Sequence, residues 1–223
     1  MYSILFLLSL IITVASQFYI KIKYNKTNKI LCKNNYKGVE VARKILDSNG
    51  LKNVKVKEVA GELTDHYDPQ NKIVNLSSKI YNDTTIAAVS VASHECGHAI
   101  QDKNGYLFLR IRSTIIPLVN LASKVGYIVI MISIITSMFK LLWLGIITEL
   151  IILLFQIITL PVEFDASRRA IKEIEKLKII NKEEKRECKE MLTAAALTYV
   201  AGVATSLIEI FRLILLARSD ERR

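Results

Sequence analysis

Cysteine and histidine are scarce in this sequence, and each shortage excludes a class of protein. The cysteines are odd in number, lie far apart and form no C-x-x-C pair: Cys32, Cys96 and Cys188. Disulfide-built scaffolds and cysteine-built zinc sites are therefore excluded, and reduced thiols in a cytosolic setting are favoured. There are also only three histidines, so a metal site made of histidines alone would need all of them.

The sequence also lacks the pattern of a nucleic-acid-binding protein, despite a net charge of +10. Aromatic and basic residues are not interleaved as a base-stacking platform requires. Instead, the lysines and arginines gather beside long apolar runs, and 51% of all residues are hydrophobic. This pattern is typical of a chain oriented in a membrane, so we expect a lipid bilayer and no nucleic acid among its partners.

The first apolar run, residues 1–20, is long enough to cross a bilayer as a helix. No lysine or arginine precedes it, whereas six lysines follow it: Lys21, Lys23, Lys26, Lys29, Lys33 and Lys37. Because positive charge is retained in the cytoplasm, this predicts an uncleaved anchor with its N-terminus outside. Val14 and Ser16 could imitate a signal-peptidase site, so a secreted product is the alternative, which the mature N-terminus would decide.

The second apolar run, residues 115–160, is long enough for two membrane helices but not for one. Lys140 divides it, which predicts a tight transmembrane hairpin with its turn outside. Basic residues flank both ends of the run: Arg110, Arg112, Arg168, Arg169 and Lys172. Both ends are therefore predicted to be cytoplasmic, in agreement with the first span.

The last part of the chain, residues 161–223, has a charged helical segment followed by an apolar stretch from Met191 to Ala217. One interpretation of this stretch is a fourth transmembrane helix. However, Glu209 and Arg212 lie within it, and a basic tail would then be carried outside against the charge rule. We therefore expect a helix that packs on the cytoplasmic part or lies at the membrane interface.

The cytoplasmic part, residues 21–114, reads as an ordinary soluble sequence. Apolar residues at helical spacing from 39 to 46 predict a short amphipathic helix that Gly50 ends. Valines at 54, 56 and 59 predict a strand, and residues 73–77 predict another after the turn-forming DHYDPQNK. We therefore expect a hairpin or small sheet, followed by a helix over about 84–101 with Asp83 as its N-cap.

That helix contains the sequence ASHECGHAIQ, in which two histidines stand four residues apart. At about 100° per residue, His94 and His98 lie roughly 40° apart around the axis, so both imidazoles can reach one ion. The spacing is that of H-E-x-x-H, in which the histidines bind Zn²⁺ and the glutamate, here Glu95, is the general base. The structural alternative is that both are core histidines on the inward stripe of the helix.

A catalytic zinc site usually holds three protein ligands, so one more is required. Glu163 is acidic, follows Pro161 at the cytoplasmic end of the hairpin and begins a helix. Ser167, one turn later, is placed to support this carboxylate or the ligand histidines. Asp165 faces another direction and is a weaker candidate, and Glu149 lies too deep in the apolar run.

Three segments in this order, LTDHYDP, HECGHAIQ and LPVEFDASRRA, resemble the YugP-like family of bacterial membrane zinc metallopeptidases. The resemblance covers nearly the whole chain. It implies that His94, His98 and Glu163 are the ligands of one Zn²⁺ ion and that Glu95 is the catalytic base. More distantly, the chain is similar to membrane zinc proteases of the heat-shock and CAAX-prenyl types, which usually place an aspartate where this chain has Ser167.

The predicted fold is therefore α+β and mostly helical. It comprises a transmembrane anchor (1–20), a cytoplasmic zincin-like part with a short sheet and the H-E-x-x-H helix (21–114), a transmembrane hairpin (115–160) and a C-terminal helical part that carries the third ligand (161–223). The predicted place is the bacterial cell membrane, which the chain crosses several times, with the catalytic part in the cytoplasm.

The predicted function is zinc-dependent hydrolysis of peptide bonds by a membrane metalloendopeptidase. Zinc lowers the pKa of a bound water, Glu95 takes its proton, and the resulting hydroxide attacks the peptide carbonyl. The expected substrates are membrane-associated or unfolded proteins. The alternative from another class is a zinc-holding membrane scaffold without proteolytic activity.

Two further predictions concern substrate contacts. His66 or Tyr67 could donate a hydrogen bond to the developing oxyanion. The alternative for this turn is structural, with Asp65 and Asp68 capping the backbone and His66 simply exposed. The predicted strand over residues 73–77 could pair with an extended substrate by edge addition.

Overall fold

The computed structural model describes residues 2–220, which are mostly helical and include a three-stranded sheet. The helices are α1 (Tyr2–Thr27), α2 (Gly38–Ser48), α3 (Ser78–Asn82), α4 (Ile86–Lys103), α5 (Leu107–Thr136), α6 (Leu142–Lys176) and α7 (Lys182–Asp220), with a 3-10 turn at Phe139–Leu141. The strands are β1 (Lys55–Val59), β2 (His66–Asp68) and β3 (Ile73–Ser77). Within the described residues the chain forms two compact units. We name them the apolar unit (residues 2–18, 111–160 and 197–220) and the mixed unit (19–110 and 161–196).

Four helices are long and apolar enough to cross a membrane by length and composition: α1, α5, α6 and α7. Their apolar side chains are widely exposed, as lipid-facing residues are, for example Ile4, Ile135 and Leu154. Within the apolar unit α6 and α7 share a buried cluster that includes Leu142, Leu153 and Leu213. The prediction of a mostly helical α+β membrane protein is therefore confirmed, and Lys140 lies in the turn between α5 and α6.

The structure bears on two expectations about the later helices. The apolar stretch after Met191 belongs to the long α7, which qualifies as a fourth candidate span by length and composition, and its packing on the cytoplasmic part or at the membrane interface stays a prediction. Furthermore, α6 does not begin after Pro161 but continues through it to Lys176. A proline inside a helix removes one backbone hydrogen bond, and neighbouring groups in membrane helices commonly compensate for such a loss.

The sheet of the mixed unit has the order β1-β3-β2. β3 pairs in parallel with β1 and antiparallel with β2, so the first and last strands do not form a hairpin. The predicted turn contributes β2 itself, at His66–Asp68. Because β3 is the central strand with a neighbour on each side, the prediction that residues 73–77 bind a substrate by edge addition is wrong. The edges of this sheet are β1 and β2.

Helix α4 is the central element of the mixed unit and is buried along most of its length. Thr85 is its N-cap, with a side chain that accepts a hydrogen bond from the Ala88 backbone N–H, in place of the predicted Asp83. Small residues at Ala88, Ala92 and Ala99 have no exposed surface, which lets neighbouring elements approach the helix closely. The helix ends at Lys103, shortly before Gly105 with its φ of +65°.

Candidate metal centre

Three potential metal ligands converge in the mixed unit. His94 and His98 project from α4, and Glu163 projects from α6. Glu163 Oε2 lies 3.2 Å from His94 Nε2 and 3.8 Å from His98 Nε2. The ligand atoms all lie within 4.8 Å of one another, and the set of two imidazoles and one carboxylate is one that catalytic zinc sites use. The residues predicted as ligands are thus brought together, and they fit a single zinc ion.

The local sequence explains why both histidines face the same point. They are one helical turn apart, and their rings lie 4.8 Å apart between centroids in an edge-to-face arrangement. His98 is 6% exposed and Glu163 is 4% exposed. A carboxylate and two imidazoles that are largely buried from solvent require a partner of opposite charge or a hydrogen-bond network.

Gln101 orients His98. Its side-chain amide nitrogen donates to the Val162 carbonyl at 2.8 Å and to Asp165 at 2.9 Å, which leaves its Oε1 as an acceptor. His98 Nδ1 lies 2.9 Å from this oxygen. Nδ1 therefore carries the hydrogen, and the lone pair of Nε2 is available to bind a metal ion. Sequence reasoning gave Gln101 no role, although its position three residues after His98 on a helix was the available signal.

Ser167 holds a similar position beside His94. Its Oγ lies 3.2 Å from His94 Nδ1. The expectation that this hydroxyl contacts the ligand set from one turn beyond Glu163 is confirmed. A hydroxyl can accept the Nδ1 hydrogen, but it brings no negative charge, unlike the aspartate of the distant relatives.

Gly97 allows α4 and α6 to approach closely at the site. A Cβ at this position would lie 2.4 Å from the Ala166 carbonyl oxygen and 3.1 Å from the Ala166 Cα. Both obstacles are backbone atoms, so a side chain could enter only if α6 moved. Since Glu163 lies on the same stretch of α6, the glycine between the two histidines sets the distance from the histidines to Glu163.

Glu95 is buried next to the ligand set. The pKa of its carboxyl is raised to about 7, chiefly by burial and to a smaller extent by the negative charges of Glu163 and Asp65. His94 and the Tyr67 backbone N–H oppose the shift. A carboxyl with a pKa near neutrality can take up and release a proton at physiological pH, which is the property that a general base requires.

The predicted oxyanion donors lie on the edge strand β2. His66 Nδ1 lies 2.8 Å from the Thr64 carbonyl and Nε2 lies 3.1 Å from the Asn75 amide. The Tyr67 hydroxyl donates to Asp102 at 2.7 Å. The roles of His66 and Tyr67 toward an oxyanion remain predictions.

The two weaker acidic candidates have other partners. Asp165 accepts hydrogen bonds from Gln101 and from Arg169. Glu149 belongs to the apolar unit, where it accepts a hydrogen bond from Ser206 at 3.0 Å. Within the described residues, the one group of three metal-binding side chains is His94, His98 and Glu163.

The fold and the site thus define a membrane protein with a candidate zinc centre of the H-E-x-x-H type. Residues 2–218 match the family described as "Putative neutral zinc metallopeptidase", and the chain belongs to this family. It is 43% identical over 201 residues to the "Putative membrane protease YugP" of Bacillus subtilis (strain 168), and the match covers 90% of this chain and 89% of that relative. No solved structure matches the chain.

Proposed function

We propose that this protein is a zinc-dependent endopeptidase of the bacterial membrane and that Glu95 is its general base. The observation that carries the proposal is the convergence of His94, His98 and Glu163, with the buried carboxyl of Glu95 next to His94 in the chain. Two imidazoles and a carboxylate would hold one Zn²⁺ ion. When bound, zinc acidifies a water molecule and polarises a peptide carbonyl.

The protein's own residues then have distinct tasks. Glu95 takes a proton from the attacking water and returns it to the nitrogen of the leaving amine, so that the proton is balanced over the cycle. Gln101 and Ser167 hold the two imidazoles in the orientation that points Nε2 at the third ligand. Burial of Glu163 and His98 keeps competing water away from the ligand set.

The proposal is tested with purified full-length protein in detergent and an unstructured protein such as casein as substrate. We expect close to one zinc per chain, cleavage that phenanthroline abolishes and added zinc restores, and loss of cleavage in Glu95→Gln. A zinc-holding scaffold would retain the metal but produce no fragments with any of the tested substrates. Equal cleavage by the parent and Glu95→Gln would refute the assignment of the base.

We further propose that the catalytic part faces the cytoplasm. Basic residues flank the apolar run 115–160 in the sequence, among them Arg110 and Lys172, and such residues are retained in the cytoplasm. The three native cysteines are buried, so cysteines can be introduced singly as labels. A membrane-impermeant maleimide applied to intact cells should label Met138→Cys but not Gln70→Cys, whereas the reverse pattern would reject this orientation.

A further inference from the structure

A cavity of about 400 Å³ lies between α6 and α7 within the mixed unit. Its lining includes the apolar side chains of Phe164, Ile171 and Leu192. Three cations line it: Arg168 from α6, and Lys185 and Lys189 from α7. We name it the basic cavity. Its size lies in the range of cavities that take a small ligand or part of one.

The basic cavity has an excess of positive charge. No carboxylate is among the described residues that line it. Lys185 is paired with Glu175 at 2.6 Å, and Arg168 approaches Asp165 only at 4.0 Å. Lys189 makes no ion pair with any residue in the part of the chain that the structure describes. The cavity is therefore complementary to a group with an apolar body and a negative charge.

The basic cavity also adjoins the candidate metal centre. Ser167 lines the cavity, and its Oγ lies 3.2 Å from His94 Nδ1. Phe164, which also lines the cavity, directly follows Glu163 in the chain. Ser167 contacts His94 at Nδ1, whereas Glu163 contacts it at Nε2, so the cavity and the proposed metal position lie on opposite sides of one imidazole ring. One extended residue of a peptide spans about 3.3–3.6 Å, so about two or three residues of a substrate would cover this separation.

From this juxtaposition we infer that the basic cavity is a substrate subsite that takes an acidic side chain near the scissile bond. The inference rests on the proposed peptidase function and narrows its substrate class to peptides with a glutamate or aspartate at one defined position. The aliphatic part of such a side chain packs on the apolar lining, and its carboxylate meets Lys189 and Arg168. A phospholipid headgroup is the competing occupant. Lipid binding alone, however, would not explain why Ser167 both lines the cavity and contacts His94.

The test uses peptides built around a casein bond that the protein cuts. Each position near the scissile bond is replaced in turn by glutamate, glutamine or lysine, and kcat/KM is measured in uncharged detergent. At one position we expect the parent to prefer glutamate over glutamine by about tenfold, the size of effect that favourable charge pairs give. Lys189→Gln should remove most of this ratio, and Lys189→Glu should invert it in favour of the lysine peptide.

The matched control is Lys182→Glu, which makes the same charge change on α7 outside the cavity and should keep the parent's ratio. Cleavage by the parent without any preference for glutamate would overturn the inference and leave the peptidase function intact. Absence of cleavage by the parent would instead reject the peptidase function, and the subsite with it. If Lys189→Glu changed only the dependence of activity on phosphatidylglycerol in bilayers, and not the peptide ratio, the cavity would be a lipid site and the inference would be wrong.

Discussion

Two of the four glutamates on helix α6, Glu149 and Glu163, differ in their partners. Glu149, in the apolar unit, accepts one hydrogen bond from the Ser206 hydroxyl. Glu163, in the mixed unit, faces the Nε2 atoms of two histidines. A carboxylate away from water is costly in both places, so burial alone does not distinguish a ligand from a structural residue. The partner side chains do, because imidazole binds a transition metal far better than a hydroxyl does.

The largest effect in this comparison should come from the base. Glu95→Gln keeps the size and hydrogen bonding of the side chain but cannot take a proton, so we expect casein cleavage to fall by about 10²–10⁴-fold with zinc content unchanged. Glu149→Gln is the matched control in the apolar unit and should retain the parent's rate. Comparable losses in the two variants would mean that Glu95 has no special role.

The second-largest effect should be a fall in zinc affinity. Glu163→Ala removes a proposed ligand, so zinc affinity should fall by more than about 100-fold, since even loss of a residue that supports a ligand costs 10–100-fold. Glu149→Ala should keep zinc at the parent's stoichiometry. Metal analysis after dialysis against a graded chelator measures both variants, and zinc loss from Glu149→Ala alone would reverse the assignment.

A third prediction compares two glycines. Gly97→Ala places a Cβ against the backbone of Ala166, which should cost about 1–3 kcal/mol of stability as overpacking and weaken zinc binding through displaced Glu163. At Gly202, in α7, a Cβ would meet only the Gln156 side chain at 3.4 Å or more. Thermal unfolding and zinc titration should therefore show lower stability and weaker zinc binding for Gly97→Ala than for Gly202→Ala. Identical results would show that α6 can move away from the added Cβ without loss of stability.

The smallest effect should come from replacing two serine hydroxyls, one that contacts His94 and one that contacts Glu149. Ser167→Ala removes the Oγ that contacts His94 Nδ1, and we expect a loss of about tenfold in zinc affinity. Ser206→Ala removes the partner of Glu149 and should leave zinc affinity as it is. An unchanged affinity in Ser167→Ala would show that His94 needs no support from this side chain.

The convergence of His94, His98 and Glu163 could be predicted because it depends on local rules. Helical periodicity places His94 and His98 on one face, and the charge pattern around the hairpin predicts that Glu163 lies on the same side of the membrane. The role of Gln101 could not be predicted in this way. It depends on where the Val162 carbonyl and Asp165 lie, and these belong to a distant part of the chain.

The sheet and the last two helices show the same limit. The strands over 55–59 and 73–77 follow from their residues, but their parallel pairing, with β2 on the far side of β3, depends on tertiary packing. Glu209 and Arg212 argued against a spanning helix when counted as two isolated charges. In the structure they pair with each other one turn apart on α7, which lowers the cost of placing them in an apolar helix.

Pro161 interrupts the backbone hydrogen bonding of α6 at one position. It has no backbone N–H, so the Ile157 carbonyl lacks its usual partner four residues later, just before Glu163. The division between the apolar and mixed units falls at the same residue, between Leu160 and Pro161. The helix therefore lacks one backbone hydrogen bond at the point where its two parts belong to different units. Amide hydrogen exchange along α6 should accordingly report two separate opening free energies, one for the residues before Pro161 and one for the residues after it.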